Sequence, residues 1–176
     1  MTSIAPAPRL VVTELLRERA DEVERLRAAL RGARGFDEAR HDELWLLRYT
    51  LSYPAGTAAA ASAARRGLQW RIDNRMDDLS STLSRLPIES WPGYAECRPF
   101  FAIQFYAVDS AALLVCVLNL SGCAFRELAT RVPMGVILQF WRSLKEYSSL
   151  VVDEATRRTG VVYKVDNEYL YLQKYI

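Results

Sequence analysis

The chain has little of the chemistry on which secreted and metal-binding proteins depend. It contains only 3 cysteines and 1 histidine in 176 residues. Cys97, Cys116 and Cys123 are odd in number and form no C-x-x-C pair, so the sequence predicts neither a disulfide framework nor a zinc site. A reducing, intracellular compartment is the simplest interpretation, and we expect no metal and no cofactor.

An excess of charge of one sign is also absent. The 23 basic and 21 acidic side chains give a net charge of +2, which does not predict a nucleic-acid partner. The first ten residues, MTSIAPAPRL, lack the charged start and apolar region of a secretory signal. The most apolar run, residues 111–120, is far shorter than the ~20 residues that a membrane-spanning helix needs. We therefore expect a cytoplasmic protein that contacts membranes only peripherally.

Enough apolar side chains are present for a core, but no catalytic arrangement accompanies them. Hydrophobic residues make up 51% of the chain and aromatic residues 11%. His41 has no evident Ser or Cys partner in the sequence, and Asp42 and Glu43 fit a helix start better than an acid/base pair. The sequence predicts that the protein is not an enzyme.

The N-terminal half has the periodicity of helices. Apolar residues recur at helical spacing from Leu10 to Arg31. Asp42 is the predicted N-cap of a second helix, which Pro54 closes. The alanine-rich stretch 57–64, with the RRGLQW that follows it, predicts a third helix. We expect these three helices to pack together before about residue 75.

The C-terminal half predicts strands around one long helix. The aromatic and β-branched stretch FFAIQFY, residues 100–106, is typical of a buried strand. A long amphipathic helix is predicted from Pro133 to Gly160, followed by a strand over 161–165. The serine-rich segment 76–97 is predicted to be a linker. The apolar segment 111–123 has no clear secondary-structure signal.

Several motifs occur in the order found in one known family. They are GFDEARHDELWLLRYTLSYP at 35–54, GLQWR at 67–71, CRPFF at 97–101, a long helix with Glu146-Tyr147, and a strand that ends at Asp166. This succession resembles the CRAL-TRIO family of lipid-binding and lipid-transfer proteins. The matching positions in the helical part are Gly35, Phe36, Asp42, Leu46, Leu47, Arg48, Trp70 and Arg71.

The resemblance implies a fold, three regions and a set of binding residues. The expected fold class is α+β or α/β, with a three-helix subdomain over 1–75, a linker over 76–97 and a partial α/β lipid-binding domain over 98–176. Strand alternation places the first three candidate residues on one face, and the resemblance supplies the other three. The predicted lipid-binding residues are Phe101, Ile103, Phe105, Val161, Tyr163 and Tyr53.

The function implied is the non-catalytic binding or transfer of a hydrophobic ligand, a phospholipid above all, between membranes. The expected partners are that ligand and a transient membrane surface. An alternative is a truncated family member, or the product of an incomplete gene, that acts as a protein-interaction module and self-associates through an open sheet edge. A third interpretation is that the apolar segment 111–123 fills the inherited pocket.

Overall fold

A computed structural model describes the backbone of residues 10–101, 103–108, 113–118, 123–162 and 164–165, and the side chains of residues 10–101 and 123–162. The chain divides into two compact units between Asp77 and Asp78. We call Leu10–Asp77 the helical unit, and the described residues from Asp78 onward the C-terminal unit.

Four helices form most of the helical unit. They are α1 (Val12–Glu18), α2 (Ala20–Leu30), α3 (Glu43–Ser52) and α4 (Thr57–Asp73). The helix predicted from Leu10 to Arg31 is interrupted, because Arg19 leaves the helical conformation with φ −110° and ψ 15°. The other two predicted helices correspond to α3 and α4. The sequence therefore predicted where the helices lie, but it did not predict the interruption at Arg19.

Leucine and alanine fill the core of the helical unit. Asp42 caps α3 as predicted, since its carboxylate accepts a hydrogen bond from the Trp45 N–H at 3.1 Å. The small alanines of α4 allow close approach to the leucines of α2 and α3. The buried side chains of this core are Val23, Leu26, Leu30, Leu46, Leu47, Ala60, Ala61 and Ala64.

Aromatic side chains form a row along one flank of the helical unit. Consecutive rings of this aromatic row have centroids 4.5–6.2 Å apart. The row consists of Phe36, His41, Trp45, Tyr49 and Tyr53. Trp45 and Tyr49 lie on α3, and Tyr53 directly follows its last residue; the three are spaced by four residues, so the helical repeat aligns them.

The described C-terminal unit contains further helices, the first of which spans the division between the units. They are α5 (Met76–Leu83), α6 (Tyr94–Cys97), α7 (Phe125–Arg131) and α8 (Met134–Thr159). The segment predicted as a linker, 76–97, holds α5 and α6 and buries Leu83, Trp91 and Cys97. Met76, Leu79 and Leu83 are spaced to give α5 an apolar face, which explains why this serine-rich segment is helical.

The described strands form a hairpin and one short addition. β1 (Ile103–Val108) pairs antiparallel with β2 (Leu113–Leu118), and β3 (Lys164–Val165) pairs parallel with the start of β2. The order in the sheet is β1-β2-β3. β2 lies in the apolar segment 111–123, whose secondary structure was not predicted.

The predicted fold class, α+β or α/β with a partial CRAL-TRIO α/β domain, is wrong. The described residues form a helical protein with eight α-helices. Their β structure is confined to the hairpin and a two-residue strand, which is too little for the layered sheet of an α/β domain. The prediction failed because it assigned the 76–97 segment to a linker and treated short apolar runs as the start of a larger sheet.

Helix α8 carries buried hydroxyl groups that bond within the helix itself. Ser143 Oγ donates to the Gln139 carbonyl at 3.1 Å, and Ser148 Oγ donates to the Leu144 carbonyl at 2.8 Å. Gly160 ends the helix in the left-handed conformation with φ 70°, as predicted. These bonds satisfy the two buried hydroxyls without a partner from another element.

A polar contact also joins α5 to α8. The Glu146 carboxylate is buried on α8 and accepts a hydrogen bond from the hydroxyl of Ser80 on α5. Trp91 and Tyr147 pack nearby, with ring centroids 4.7 Å apart. Glu146 is thus buried, whereas Lys145, which precedes it in the sequence, is exposed.

Candidate functional site

Phe101 lies at the centre of a group of aromatic rings in the C-terminal unit. Its ring centroid is 5.5 Å from that of Trp141, 5.8 Å from that of Phe125 and 5.9 Å from that of Phe140. The contacts with Trp141 and Phe125 are edge-to-face, the arrangement that ring quadrupoles favour. We call Phe101, Phe125, Phe140 and Trp141 the aromatic cluster.

Local backbone features bring these rings together. The Ala124 N–H donates to the Phe100 carbonyl at 3.0 Å and so places the start of α7, with Phe125, beside Phe101. Gly93, with φ 77°, lets α6 approach α8 closely, because a Cβ atom there would lie 2.7 Å from the Val136 carbonyl oxygen. The cluster is therefore held by backbone contacts on two sides.

One end of the aromatic cluster is core. Phe140 is only 3% exposed and packs with Leu128, Ile137 and Leu144. The Tyr94 ring lies 6.1 Å from the Phe140 ring and extends the packing toward α6. Phe140 is thus better explained by stability than by binding.

The other end of the cluster reaches solvent. Phe125 is 37% exposed, Leu138 47% and Met134 56%. Leu138 lies four residues after Met134 and three before Trp141, so the three side chains share a face of α8. We call Phe125, Met134 and Leu138 the apolar margin. The ring contacts therefore lead from buried Phe140, through Phe101, to Phe125 at the solvent-exposed margin.

Cationic residues accompany the apolar margin in the sequence of α7 and α8. Arg142 and Lys145 follow Leu138 and Trp141 by one helical turn, and Arg126 is next to Phe125. The carboxylate of Glu127 pairs with the guanidinium of Arg131 at 3.5 Å. The stretch 125–145 thus has more basic than acidic residues, although the whole chain is nearly neutral.

The structure locates the predicted lipid-binding residues in different places. Phe101 occupies the aromatic cluster, whereas Val161 packs beside Val151, Val152 and Ala155. Tyr53 belongs to the helical unit, where its ring stacks on Tyr49.

The remaining predicted residues lie on or near the strands. Ile103 and Phe105 belong to β1, whose side chains lie outside the description, and Tyr163 lies outside the described residues altogether. Of the six predicted residues, Phe101 is therefore the one that the structure places in the aromatic cluster.

Sequence reasoning did not select the residues of the apolar margin. The predicted amphipathic helix includes Met134 and Leu138, but its periodicity did not mark them as residues that remain exposed. An apolar residue outside the main helical stripe is the signal that could have identified them.

Among the described residues, His41 and Cys97 do not form a cluster of side chains suited to acid/base or nucleophilic catalysis. His41 is buried in the aromatic row, and burial is the main cause that lowers its pKa. Burial also raises the pKa of the Cys97 thiol, which disfavours its reactive thiolate form. In the part of the chain that the structure describes, no group of three or more metal-ligating side chains is found.

Comparison with known proteins supplies no relative from which a role could be transferred. No protein-family model, curated protein or solved structure matches the chain. Among the described helices, none is both long and apolar enough to cross a bilayer. The CRAL-TRIO resemblance accordingly stays a prediction.

Proposed function

We propose that the C-terminal unit binds a hydrophobic ligand, specifically the acyl part of a phospholipid, and carries it between membranes without catalysing a reaction. The observation that carries this proposal is the continuity of the aromatic cluster with the apolar margin. Binding sites for apolar ligands are lined mainly by aromatic and aliphatic side chains. The position of Phe101, one of the predicted lipid-binding residues, at the centre of the cluster supports the same proposal.

Burial of apolar surface would supply the binding energy. Each methylene group removed from water contributes ~0.8 kcal/mol, so an acyl chain that covers Leu138 and the edge of Phe125 gains several such increments. Phe101 and Trp141 offer rigid ring surfaces that lose little conformational entropy on binding. In this proposal, the basic side chains near the margin orient the polar headgroup.

Fluorescence quenching by phospholipids with brominated acyl chains tests the site. The full chain is mixed with such a lipid, because bromine quenches an indole that it contacts. We expect quenching of the wild-type protein to be largely lost in Trp141→Phe and retained in Trp70→Phe. Trp70 is a matched control, since it is 47% exposed but belongs to the helical unit.

Native mass spectrometry supplies the stoichiometry. We expect one phospholipid adduct per chain, weakened at least tenfold by Leu138→Asp and unchanged by Leu86→Asp. The two leucines have similar exposures, 47% and 44%. Absence of an adduct, or equal loss in both variants, would show that the margin does not bind acyl chains.

The alternative function, a protein-interaction module, rests on the described sheet. β1 is at one end of the strand order, and β3 pairs only with Leu113 and Leu114 of β2. An edge strand of this kind can pair with another chain. Sedimentation velocity over a hundredfold range of concentration discriminates the two functions: a monomer throughout contradicts self-association, whereas a dimer without lipid adducts favours it.

A further inference from the structure

We infer that the apolar margin and the cations beside it form a docking surface for a bilayer that contains anionic phospholipids. This inference deepens the proposed function and rests on it, because it names the membrane from which the ligand is taken. The observation behind it is the joint placement of exposed apolar and cationic side chains on the first three turns of α8.

The apolar part of this surface is too exposed to be explained by the core alone. Met134 and Leu138 project from α8 with about half of their surface in solvent. Phe125 on α7 adds an aromatic ring that contacts Phe101. Side chains of this kind enter the boundary between headgroups and acyl chains when a helix lies on a bilayer.

The charges select the kind of membrane. Arg142 and Lys145 continue the helix face that begins with Met134, and the stretch from 134 to 145 spans about 17 Å at 1.5 Å per residue. Arg126 adds a third cation next to Phe125. Each Lys or Arg near an anionic surface contributes roughly 1 kcal/mol of attraction. This complementarity favours an anionic bilayer over a neutral one.

The acidic residues that flank these turns in the sequence are Glu127 and Glu146. Glu127 is exposed but pairs with Arg131. Glu146 follows Lys145 in the sequence, yet its carboxylate is buried against Ser80. Residues 134–145 themselves contain the cationic residues Arg142 and Lys145 and no acidic residue.

Vesicle flotation with the full chain tests the docking surface. Vesicles of phosphatidylcholine alone are compared with vesicles that contain phosphatidylserine, at low and at high salt. We expect binding only to the phosphatidylserine vesicles, with a decrease on addition of salt because screening weakens attraction between exposed charges. Equal binding to both vesicle types, or no binding, would overturn the inference.

Matched variants locate the surface. The double variant Arg142→Gln/Lys145→Gln should reduce partitioning about 25-fold, from two contributions of ~1 kcal/mol. The double variant Arg85→Gln/Arg158→Gln lowers the net charge equally but away from the margin, and it should have little effect. Equal loss in both double variants would mean that net charge alone drives binding, which contradicts a specific surface.

The apolar contribution is tested separately. Leu138→Asp should abolish flotation, whereas Leu86→Asp should leave it unchanged, with circular dichroism to verify that both variants fold. A chain that ignores vesicles but forms a dimer that Leu138→Asp dissociates would overturn the inference in favour of a contact between copies.

The same samples separate this inference from the proposed function. Vesicle binding without a stoichiometric lipid adduct supports the docking surface and contradicts ligand binding. An adduct without a preference for phosphatidylserine vesicles supports ligand binding and contradicts the docking surface.

Discussion

The two units of the chain bury different kinds of side chain. The core of the helical unit consists of leucine, valine and alanine, and its aromatic rings lie in a row along α3. The C-terminal unit buries Trp91 and Phe140 and surrounds them with Tyr94, Phe101 and Tyr147. Small side chains let helices approach closely, whereas large rings leave edges that a neighbour or a ligand can cover. The difference indicates close helix packing in the helical unit, and it is the reason that the proposed function assigns the binding surface to the C-terminal unit.

The largest expected effect on the free energy of unfolding comes from replacing one side chain in each unit with alanine. Leu26→Ala removes a fully buried leucine and should lower the free energy of unfolding of the helical unit by about 3 kcal/mol. Phe125→Ala should cost less than about 1 kcal/mol, because the ring lies at an exposed margin. Urea denaturation monitored by hydrogen exchange in each unit measures both values. Similar costs would contradict the distinction between a packed core and a binding margin.

A second test compares two left-handed glycines of the C-terminal unit. Gly93→Ala places a Cβ atom 2.7 Å from the Val136 carbonyl oxygen, whereas Gly160→Ala meets no atom within 4 Å. Both variants carry the strain of a positive φ, about 1 kcal/mol, but Gly93→Ala must also separate α6 from α8. We expect a total cost of about 2–3 kcal/mol for Gly93→Ala. Thermal unfolding measures the pair, and equal shifts in Tm would contradict close α6–α8 packing.

A third test uses pH, to which the helical unit responds through its buried histidine. Burial is the main cause that lowers the pKa of His41 below 6.5; Arg40 and Arg71 lower it further, and the Asp37 carbonyl and Asp77 oppose the shift. The unfolded chain therefore takes up this proton more readily, so stability is full above pH 6.5 and falls as the pH decreases toward the folded pKa.

Because the chain has 1 histidine, a histidine titration that changes the stability can be assigned to His41. His41→Gln should be less stable at pH 7.5, because the stacked contact with Phe36 and the edge-to-face contact with Trp45 are lost. It should nevertheless lack the decline of the wild type between pH 7 and 5. A wild-type urea midpoint that is constant over this range would contradict the prediction.

The smallest expected effect belongs to an exposed ion pair at the end of the helical unit. A hydrogen bond from Arg40 is the main cause that lowers the pKa of Asp77 below 3.8, and Arg71 adds to it. The stabilisation is present above pH 3.8 and is lost as the pH falls through the lower folded value. Because the Asp77 side chain is 45% exposed, Asp77→Asn should cost less than about 1 kcal/mol at pH 7. The difference from the wild type in urea should vanish near pH 2; a difference that persists would point to another cause.

The sequence predicted local structure well where one strong signal decides it. Asp42 caps α3, and Gly160 ends the long helix α8, because caps and glycine stops depend on a few adjacent atoms. The division of α1 from α2 at Arg19 was missed, since no glycine or proline marks it. The helical character of 76–97 was missed because its serines and prolines outweighed the apolar spacing of α5.

The candidate site could be predicted only in part. Phe101 was selected, but its neighbours Phe125 and Trp141 come from α7 and α8, which lie 24 and 40 residues farther along the chain. Contacts at such separations depend on tertiary packing, which periodicity does not encode. The exposure of Met134 and Leu138 likewise depends on which side of α8 its neighbours cover.

The buried serines of α8 have a consequence for how the helix can move. Ser143 and Ser148 direct their hydroxyls to carbonyls of their own helix, so these bonds travel with α8 and do not fix its register against other elements. A small rotation or translation of the helix would leave both bonds intact. The register of α8 is set instead by contacts with other elements, among them the hydrogen bond between Ser80 and Glu146 and the close approach of Gly93 to Val136.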